Sequence, residues 1–375
     1  MKVYIRDLAC LLRTLGYGNY KTMTNKIISI LNPYLDTLGG GERYILTIAE
    51  ALSRENTVII YWDDPSIKEK IENRLHIDTQ NIQFKKIIKN KLKRFLTYSN
   101  SDILFYVTDG SLFFSPAKKS ILIVQSPSHI PKIQTKIDRL KLKTWNSIFC
   151  YSKYIQLFIK MKINKDIVIF PPSIDDSFYS SKHKENIIVS TGRFFSHLHS
   201  KKQHLLIQAF KDLYTNADIS SWKLVLIGST EHEESNDYLQ QIKTSATGYP
   251  IEILANIPFS TLKDYYAKAK LFWLATGLGE DLIQYPERAE HFGIVTLEAM
   301  ASGCVPIVYN GGGQKELVQH GIDGYLFEDK DALIRYTKEI IDNEDKRKKI
   351  AENAIRTSKK YSLENFSNKL HEILK

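Results

Sequence analysis

Cysteine is scarce in this chain. Its 375 residues include three, Cys10, Cys150 and Cys304, too far apart to form a C-x-x-C pair or a Cys/His cluster. That argues against a disulfide scaffold or a structural zinc site and fits a reducing compartment. Long apolar runs are missing as well, and none approaches the ~18 residues a membrane-spanning helix requires. The apolar stretch near the N-terminus, LACLLRTLG, is interrupted by Arg13 and has no small-residue cleavage site, which argues against a signal peptide. A cytosolic protein is expected. Acids are also in deficit: 42 Asp and Glu against 52 Lys and Arg leave a net charge of +10, with a pI near 9.1. Such a balance favours an anionic partner, which leaves nucleic acid, a membrane surface or a phosphorylated substrate open.

What is present is an ordinary globular composition, 43% hydrophobic and 25% charged, on a chain long enough for two domains at roughly 150 residues each. Residues 1–25 show no clear period. KIISILNPY (Lys26 to Tyr34) reads as a first buried strand, and Gly39-Gly40-Gly41 then opens ERYILTIAEALSR, whose apolar residues recur at helical spacing. Further apolar runs follow in TVIIYWDD, DILFYVTDG, SILIVQSP, SIFCYS and DIVIFPPS. A polar connector, SFYSSKHKEN (Ser177 to Asn186), precedes a second series: NIIVSTGRF, KLVLIGS, IEILANI, KLFWLAT and CVPIVYN. Near-continuous apolar strands alternating with helices imply parallel sheets covered on both faces. The reading is an α/β protein of two doubly wound domains: 1–180, joined by a last helix over 361–375, and 181–360. Ligands of such sheets sit at the carboxyl ends of the strands.

The stretch AEHFGIVTLEAMASGCVPIVYNGGGQKELV holds Glu290 and Glu298. On one continuous helix they would diverge by about 80°. A break at Phe292-Gly293 would leave Glu290 in a loop and Glu298 in the following helix, so that both converge on one ligand. Carboxylates accept from vicinal hydroxyls, and helix N-termini suit phosphate. STGRFFSHLHSKKQHLLIQAF places Arg193 and Lys201 in a basic loop, with Lys202 as the neighbouring register. A guanidinium and an ammonium facing one cleft would neutralise a pyrophosphate. The Gly39–Gly41 run fits either close backbone approach to a ligand or a tight turn. His129 follows another strand, Asp109 of VTDGS reads as a turn former, and Gly311–Gly313 with Glu316 fit either a binding loop or loop punctuation and a helix cap.

E-H-F-G-I-V-T-L-E-A-M-A-S-G-C-V-P-I-V resembles the E-x7-E signature of retaining GT-B glycosyltransferases of family 4, and N-G-G-G-Q-K-E-L-V-Q-H-G-I-D-G-Y-L-F resembles its usual continuation. The resemblance extends over residues 26–375. It implies Rossmann-like domains facing across a cleft, the second binding a nucleoside diphosphate sugar. By resemblance, Glu298 holds the ribose, Glu290 the sugar, and Arg193 with Lys201 the diphosphate, while Phe292, Gly293, Thr296 and Leu297 lie along the donor. Gly40, Gly41 and His129 would lie on the acceptor side, His129 against the donor sugar. No metal and no separate cofactor are implied. Similarity to mannosyltransferases that extend lipid-linked oligosaccharides inclines the donor towards GDP-mannose, with a UDP-sugar as the alternative. The acceptor would be a glycan, on a lipid carrier or free, made for surface polysaccharide.

FKKIIKNKLKRF (Phe84 to Phe95) has six bases and no acid, and as a helix it would be a basic amphipathic face for anionic lipid. KIQTKIDRLKLKTW (Lys132 to Trp145) would enlarge the patch. Aromatic residues are not interleaved as base-stacking platforms, so nucleic acid is a weak reading. Two other functions fit the same residues: a nucleotide-sugar epimerase and a non-catalytic basic binding module.

Overall fold

The structure, a computed structural model, describes residues 25–180, 182–196, 200–230 and 233–375. Cys10 and the LACLLRTLG stretch lie outside the described residues. Strands β1 (Ile27–Leu31), β2 (Thr57–Tyr61), β3 (Ile82–Lys85), β4 (Ile103–Val107), β5 (Lys119–Val124), β6 (Ser147–Cys150) and β7 (Ile167–Ile169) form one sheet in the order 3-2-1-4-5-6-7. Strands β8 (Glu185–Thr191), β9 (Lys223–Gly228), β10 (Ile251–Ala255), β11 (Ala269–Leu274), β12 (Val305–Tyr309) and β13 (Tyr325–Phe327) form a second, in the order 10-9-8-11-12-13. Every pairing is parallel. The fold is doubly wound α/β, as the alternation of apolar runs and helices implies.

Helices on both faces explain why the strands lack polar alternation: β4 and β6 are buried along their whole length. In each sheet the strand order reverses beside the first strand, between β1 and β4 and again between β8 and β11. Loops diverge at such a point and leave a crevice. The loop after β1 opens into helix Gly40–Ser53, and the loop after β8 into helix Gln203–Asn216. Both crevices carry residues of the quoted motifs.

The segment 84–95 departs from expectation. Phe84 and Lys85 belong to the short strand β3, and only Lys91–Tyr98 is helical, starting where the Asn90 side chain accepts from the Lys93 amide at 2.9 Å. Strand pairing with β2 claims the first residues and an N-cap sets the helix start, so no single helix crosses the whole basic run. Helix Lys136–Lys143 begins with a reciprocal cap between Thr135 and Asp138.

The polar connector is anchored by Lys184. Its Nζ donates to the carbonyls of Ser302 (2.6 Å) and Ala269 (2.8 Å), at the C-terminal ends of helices Ile294–Ala301 and Phe259–Lys268. A cation there satisfies end carbonyls and complements both helix dipoles. The last helix, Leu363–Leu374, lies on the first sheet: Phe366 packs 4.5 Å from the Phe170 ring and edge-on to Tyr44, and Lys119 donates to the Ile373 carbonyl at 2.9 Å. Truncating Phe366 to Ala removes a buried ring from this seam and is expected to cost about 3–4 kcal/mol of unfolding free energy, read as a lowered urea midpoint at unchanged slope.

Candidate active site

The two crevices meet in one cavity of about 600 Å3, a size suited to a small-molecule ligand. From the first sheet it is lined by Gly39, Gly40, Gly41, Gln125 and His129; from the second by Arg193, Lys201, Glu290, Phe292 and Gly293. Residues 160 positions apart in sequence therefore face one space.

On the side of the second sheet, the chain breaks as the two-glutamate spacing requires. A 3-10 turn at Pro286–Arg288 ends in an extended stretch, Gly293 adopts φ +106°, and helix Ile294–Ala301 starts there. A side chain at Gly293 would be strained and would also meet the Gln314 amide. Gly293, Ile294 and Val295 line the cavity, so the positive end of this helix points at it. Lys201 Nζ lies 2.6 Å from Glu290 Oε2, with both side chains nearly buried. Lys202 turns away at φ +56° and pairs with Glu280 instead, so that of the two neighbouring lysines Lys201 lines the cavity. The Arg193 guanidinium lies 5.1 Å over the Phe195 ring.

On the opposite wall, Glu42 accepts from the Gly39 amide (3.0 Å) and the Thr37 hydroxyl (2.5 Å), which fixes the glycine turn. Gln125 donates to the Gly41 carbonyl at 3.1 Å, and any Cβ at Gly41 would strike its amide group. A side chain there would have to push the Gln125 amide aside. His129 stacks on Tyr34 at 5.3 Å, and its Nδ1 is buried with no hydrogen-bond partner among the described residues. Burial lowers its pKa against the pull of Asp109. His291, beside Glu290, is pushed down to about 4, chiefly by burial, with Glu290 opposing. Both rings are therefore neutral at pH 7. Asp109 accepts from the Ser111 amide at 2.9 Å and the Tyr106 hydroxyl at 3.0 Å, a turn former as read.

Residues 174–357 match the family model described as Glycosyl transferases group 1. Over those residues the chain is a group 1 glycosyltransferase. It is 25% identical over 368 residues to the Campylobacter jejuni GalNAc-alpha-(1->4)-GalNAc-alpha-(1->3)-diNAcBac-PP-undecaprenol alpha-1,4-N-acetyl-D-galactosaminyltransferase, covering 90% of this chain and 94% of that one. It is 30% identical over 182 residues to the Xenopus laevis GDP-Man:Man(3)GlcNAc(2)-PP-Dol alpha-1,2-mannosyltransferase, covering 45% of this chain. The match spans 34% of the Xenopus protein's length. Among solved structures, Anabaena HepE in complex with UDP superposes with a TM-score of 0.71 at 17% identity, covering 93% of this chain and 99% of that one. A glycosyltransferase from Rickettsia africae gives 0.71 at 18% identity, covering 94% and 98%. The fold is GT-B.

Not every motif residue of the glycosyltransferase reaches the cavity. Leu297 is fully buried in the apolar core and its amide donates to the Gly293 carbonyl at 3.2 Å; it packs the helix and offers a ligand nothing. The Thr296 amide is likewise used at 3.0 Å, while its hydroxyl is buried without a partner among the described residues. Glu298 is buried behind the lining, beside Arg43 and Tyr266. Gly311–Gly313 do not line the cavity; the Gly313 amide donates to the Glu290 carbonyl at 2.7 Å. Glu316 caps a helix other than its own, accepting from the amides of Lys153 and Tyr154 at 2.8 Å each.

Sequence reading also missed Tyr34, Arg74, Gln125 and His291 in the lining. The signal for His291 was present, inside the quoted motif and next to Glu290. Arg74 and Gln125 come from segments with no motif of their own.

No group of three or more His, Cys, Asp or Glu side chains able to hold a metal occurs among the described residues. No helix among them is long and apolar enough to cross a membrane.

Gly312 holds the Glu290 loop from behind: its φ is +61°, and a Cβ would lie 2.1 Å from the Glu290 carbonyl oxygen. Gly312→Ala is expected to displace Glu290, lowering the melting temperature and cutting turnover at least tenfold. Gly248→Ala, at φ +83° in open space, would carry only the backbone cost of about 1 kcal/mol and keep wild-type turnover.

Proposed function

We propose that the enzyme transfers a hexose from a nucleoside diphosphate sugar to a glycan on a lipid carrier, with retention at the anomeric carbon. The observation that carries this reading is the convergence on one cavity of Arg193, the Lys201–Glu290 pair and a helix N-terminus from one sheet with the glycine turn and His129 from the other. A diphosphate fits against Arg193, Lys201 and the first turn of Ile294–Ala301, where charge assistance and the helix dipole act together. Glu290 then accepts from sugar hydroxyls, and Glu298, set behind the lining with 9% of its side chain exposed, from a ribose that reaches past that lining. The bond from the anomeric carbon to the phosphate oxygen breaks, its electron pair passing to the diphosphate; the acceptor hydroxyl attacks from the same face and its proton goes to the departing oxygen. Stabilising that oxygen is the main catalytic task. Neutral His129 and His291 line the sugar end without competing for the diphosphate.

The activities for which the relatives are named support a lipid-linked acceptor: one acts on a PP-undecaprenol glycan and the other on a PP-Dol oligosaccharide. GDP-mannose remains the donor favoured by sequence, with a UDP-sugar as the alternative. Family membership favours group transfer over the epimerase and the non-catalytic module.

Such an acceptor places the enzyme against a bilayer, and the surface supports this. Helix Lys91–Tyr98 turns its apolar stripe outward: Leu92, Phe95 and Leu96 are 69%, 46% and 57% exposed, although their i, i+3, i+4 spacing would normally face a core. Helix Lys136–Lys143 likewise exposes Ile137 and Leu140. The two helices share one support, since Arg94 lies over the Phe113 ring, Phe113 packs edge-on to Trp145, and the Ser115 amide donates to Thr144. Six bases and no acid from 84 to 95, with five bases and one acid from 132 to 145, carry an excess equal to the +10 of the whole chain. Apolar stripes flanked by lysines suit an anionic membrane surface.

Two measurements test the reading. Transfer of labelled sugar to an undecaprenyl-pyrophosphate glycan, with anomeric configuration read by NMR, should occur in the wild type and fall at least a hundredfold in Arg193→Ala, Lys201→Ala and Glu290→Ala; wild-type rates in all three would refute the site. Vesicles containing phosphatidylglycerol should carry the protein upward in flotation, whereas vesicles of phosphatidylcholine alone should not. Replacing Leu92, Phe95 and Leu96 with Ser should abolish flotation, and its persistence in that variant would remove the surface.

A further inference from the structure

Arg43 follows the glycine turn directly and belongs to the first turn of helix Gly40–Ser53. Its amide donates to the Gly39 carbonyl at 2.9 Å, so the shape of the turn sets its position. From there its side chain leaves the first sheet and enters the second half of the chain. The guanidinium lies 3.1 Å from Asp175, 3.9 Å from Glu298 and 5.4 Å over the Phe259 ring. Its side chain is 15% exposed and that of Glu298 9%.

We propose that Arg43 is a positioning residue for the donor: reaching across from the acceptor side, it sets a positive charge beside the Glu298 carboxylate that meets the ribose. This rests on the donor-site reading above. Three polar groups face Glu298 from the elements packed around it. Arg43 comes from helix Gly40–Ser53, Asp175 from the segment before β8, and Tyr266 from helix Phe259–Lys268, its hydroxyl 3.5 Å from Glu298 Oε2. Arg43 is the cation among them, and the ring of Phe259 confines it on one side.

The chemistry needs that charge. An ionised carboxylate accepts from both vicinal hydroxyls of a ribose, whereas a protonated one offers a donor where an acceptor is required. Burial pushes Glu298 up to about 7; Arg43 pulls it down, Asp175 pushes it up and the Tyr266 hydroxyl pulls it down. Its ionised fraction therefore grows as pH rises through neutrality, and nucleotide affinity should grow with it. Without Arg43, the opposing pull of a cation at this range, about one pH unit or more, is lost. The limb should move upward, and at pH 7 the ionised fraction should fall from about a half to about a tenth.

The test is calorimetric titration of UDP and of GDP between pH 6 and 9 into the wild type, Arg43→Gln, Arg43→Lys and Glu298→Gln, with thermal melts to confirm folding. Arg43→Gln is expected to weaken the nucleotide that binds about fivefold at pH 7 and to move the pH limb up by about one unit. Arg43→Lys should restore most of the affinity, since it keeps the charge. In a Glu298→Gln background, Arg43→Gln should add less than twofold, and any pH dependence left there belongs to the terminal phosphate. A limb that stays at the wild-type midpoint in Arg43→Gln, or a full fivefold loss in the Glu298→Gln background, would overturn the assignment of Arg43 alone. Absence of binding by either nucleotide to the wild type would overturn the donor-site reading, and this inference with it.

Discussion

The ion pair between Lys201 and Glu290 is the constraint around which the cleft is arranged. It joins the loop after β8 to the stretch before helix Ile294–Ala301 at 2.6 Å, with little water to screen it. A buried pair of this kind returns little net stability, because desolvating two charges offsets most of their attraction. Its geometry must therefore be held by other contacts. Gly312 and Gly313 press against the Glu290 and His291 carbonyls too closely for any side chain, and the Ser152 hydroxyl donates to the His291 carbonyl at 2.7 Å from the first half. The carboxylate is positioned by backbone packing, and the lysine then pairs with it.

The two halves touch at this loop and beyond it. Glu316 closes the N-terminus of helix Lys153–Lys162, and the Tyr154 hydroxyl donates to the Pro286 carbonyl at 2.8 Å. With Arg43 against Asp175 and Glu298, each half supplies polar groups that complete elements of the other. A carboxylate on a helix N-terminus is a strong but directional contact, suited to a seam that must reform in one register. The glycine turn, through Arg43, and the short helix after β12, through Glu316, are thus each tied to the opposite half of the chain.

Much of this was legible because parallel strands buried on both faces leave unmistakable apolar runs. The exceptions are physical. Strand β3, at a sheet edge, is four residues with one buried, so IQFKKII shows no run to detect, and its lysines suggested a helix. Strand β13 is three residues long. In the site, Glu290, Gly293, Arg193 and Lys201 were visible because a loop break and a basic cluster have local spacing. Gln125, Arg74 and Glu316 act through contacts between distant segments, and nothing near them in sequence encodes the partner. Leu297 was misassigned because adjacency to the motif was taken as adjacency to the ligand, whereas on a helix one residue turns by about 100° and Leu297 points to the core.

The strong positive charge of the chain is a different matter from the charge of its cleft. Around the cavity Arg74, Arg193 and Lys201 are balanced by Glu42, Glu287 and Glu290, and the histidines beside them are neutral. Net charge therefore cannot select a diphosphate there; selection has to come from placement, with Glu42 spent on the Gly39 amide and Glu290 on Lys201, while a helix N-terminus adds a fixed positive end of about half a charge. The excess that the composition reports lies between residues 84 and 145, on two exposed helices and the segments that precede them, outside the cleft lining. The basic isoelectric point thus says nothing of the cleft, and the anionic partner that composition favours is best sought at that outer face, where the field extends about a Debye length into solvent.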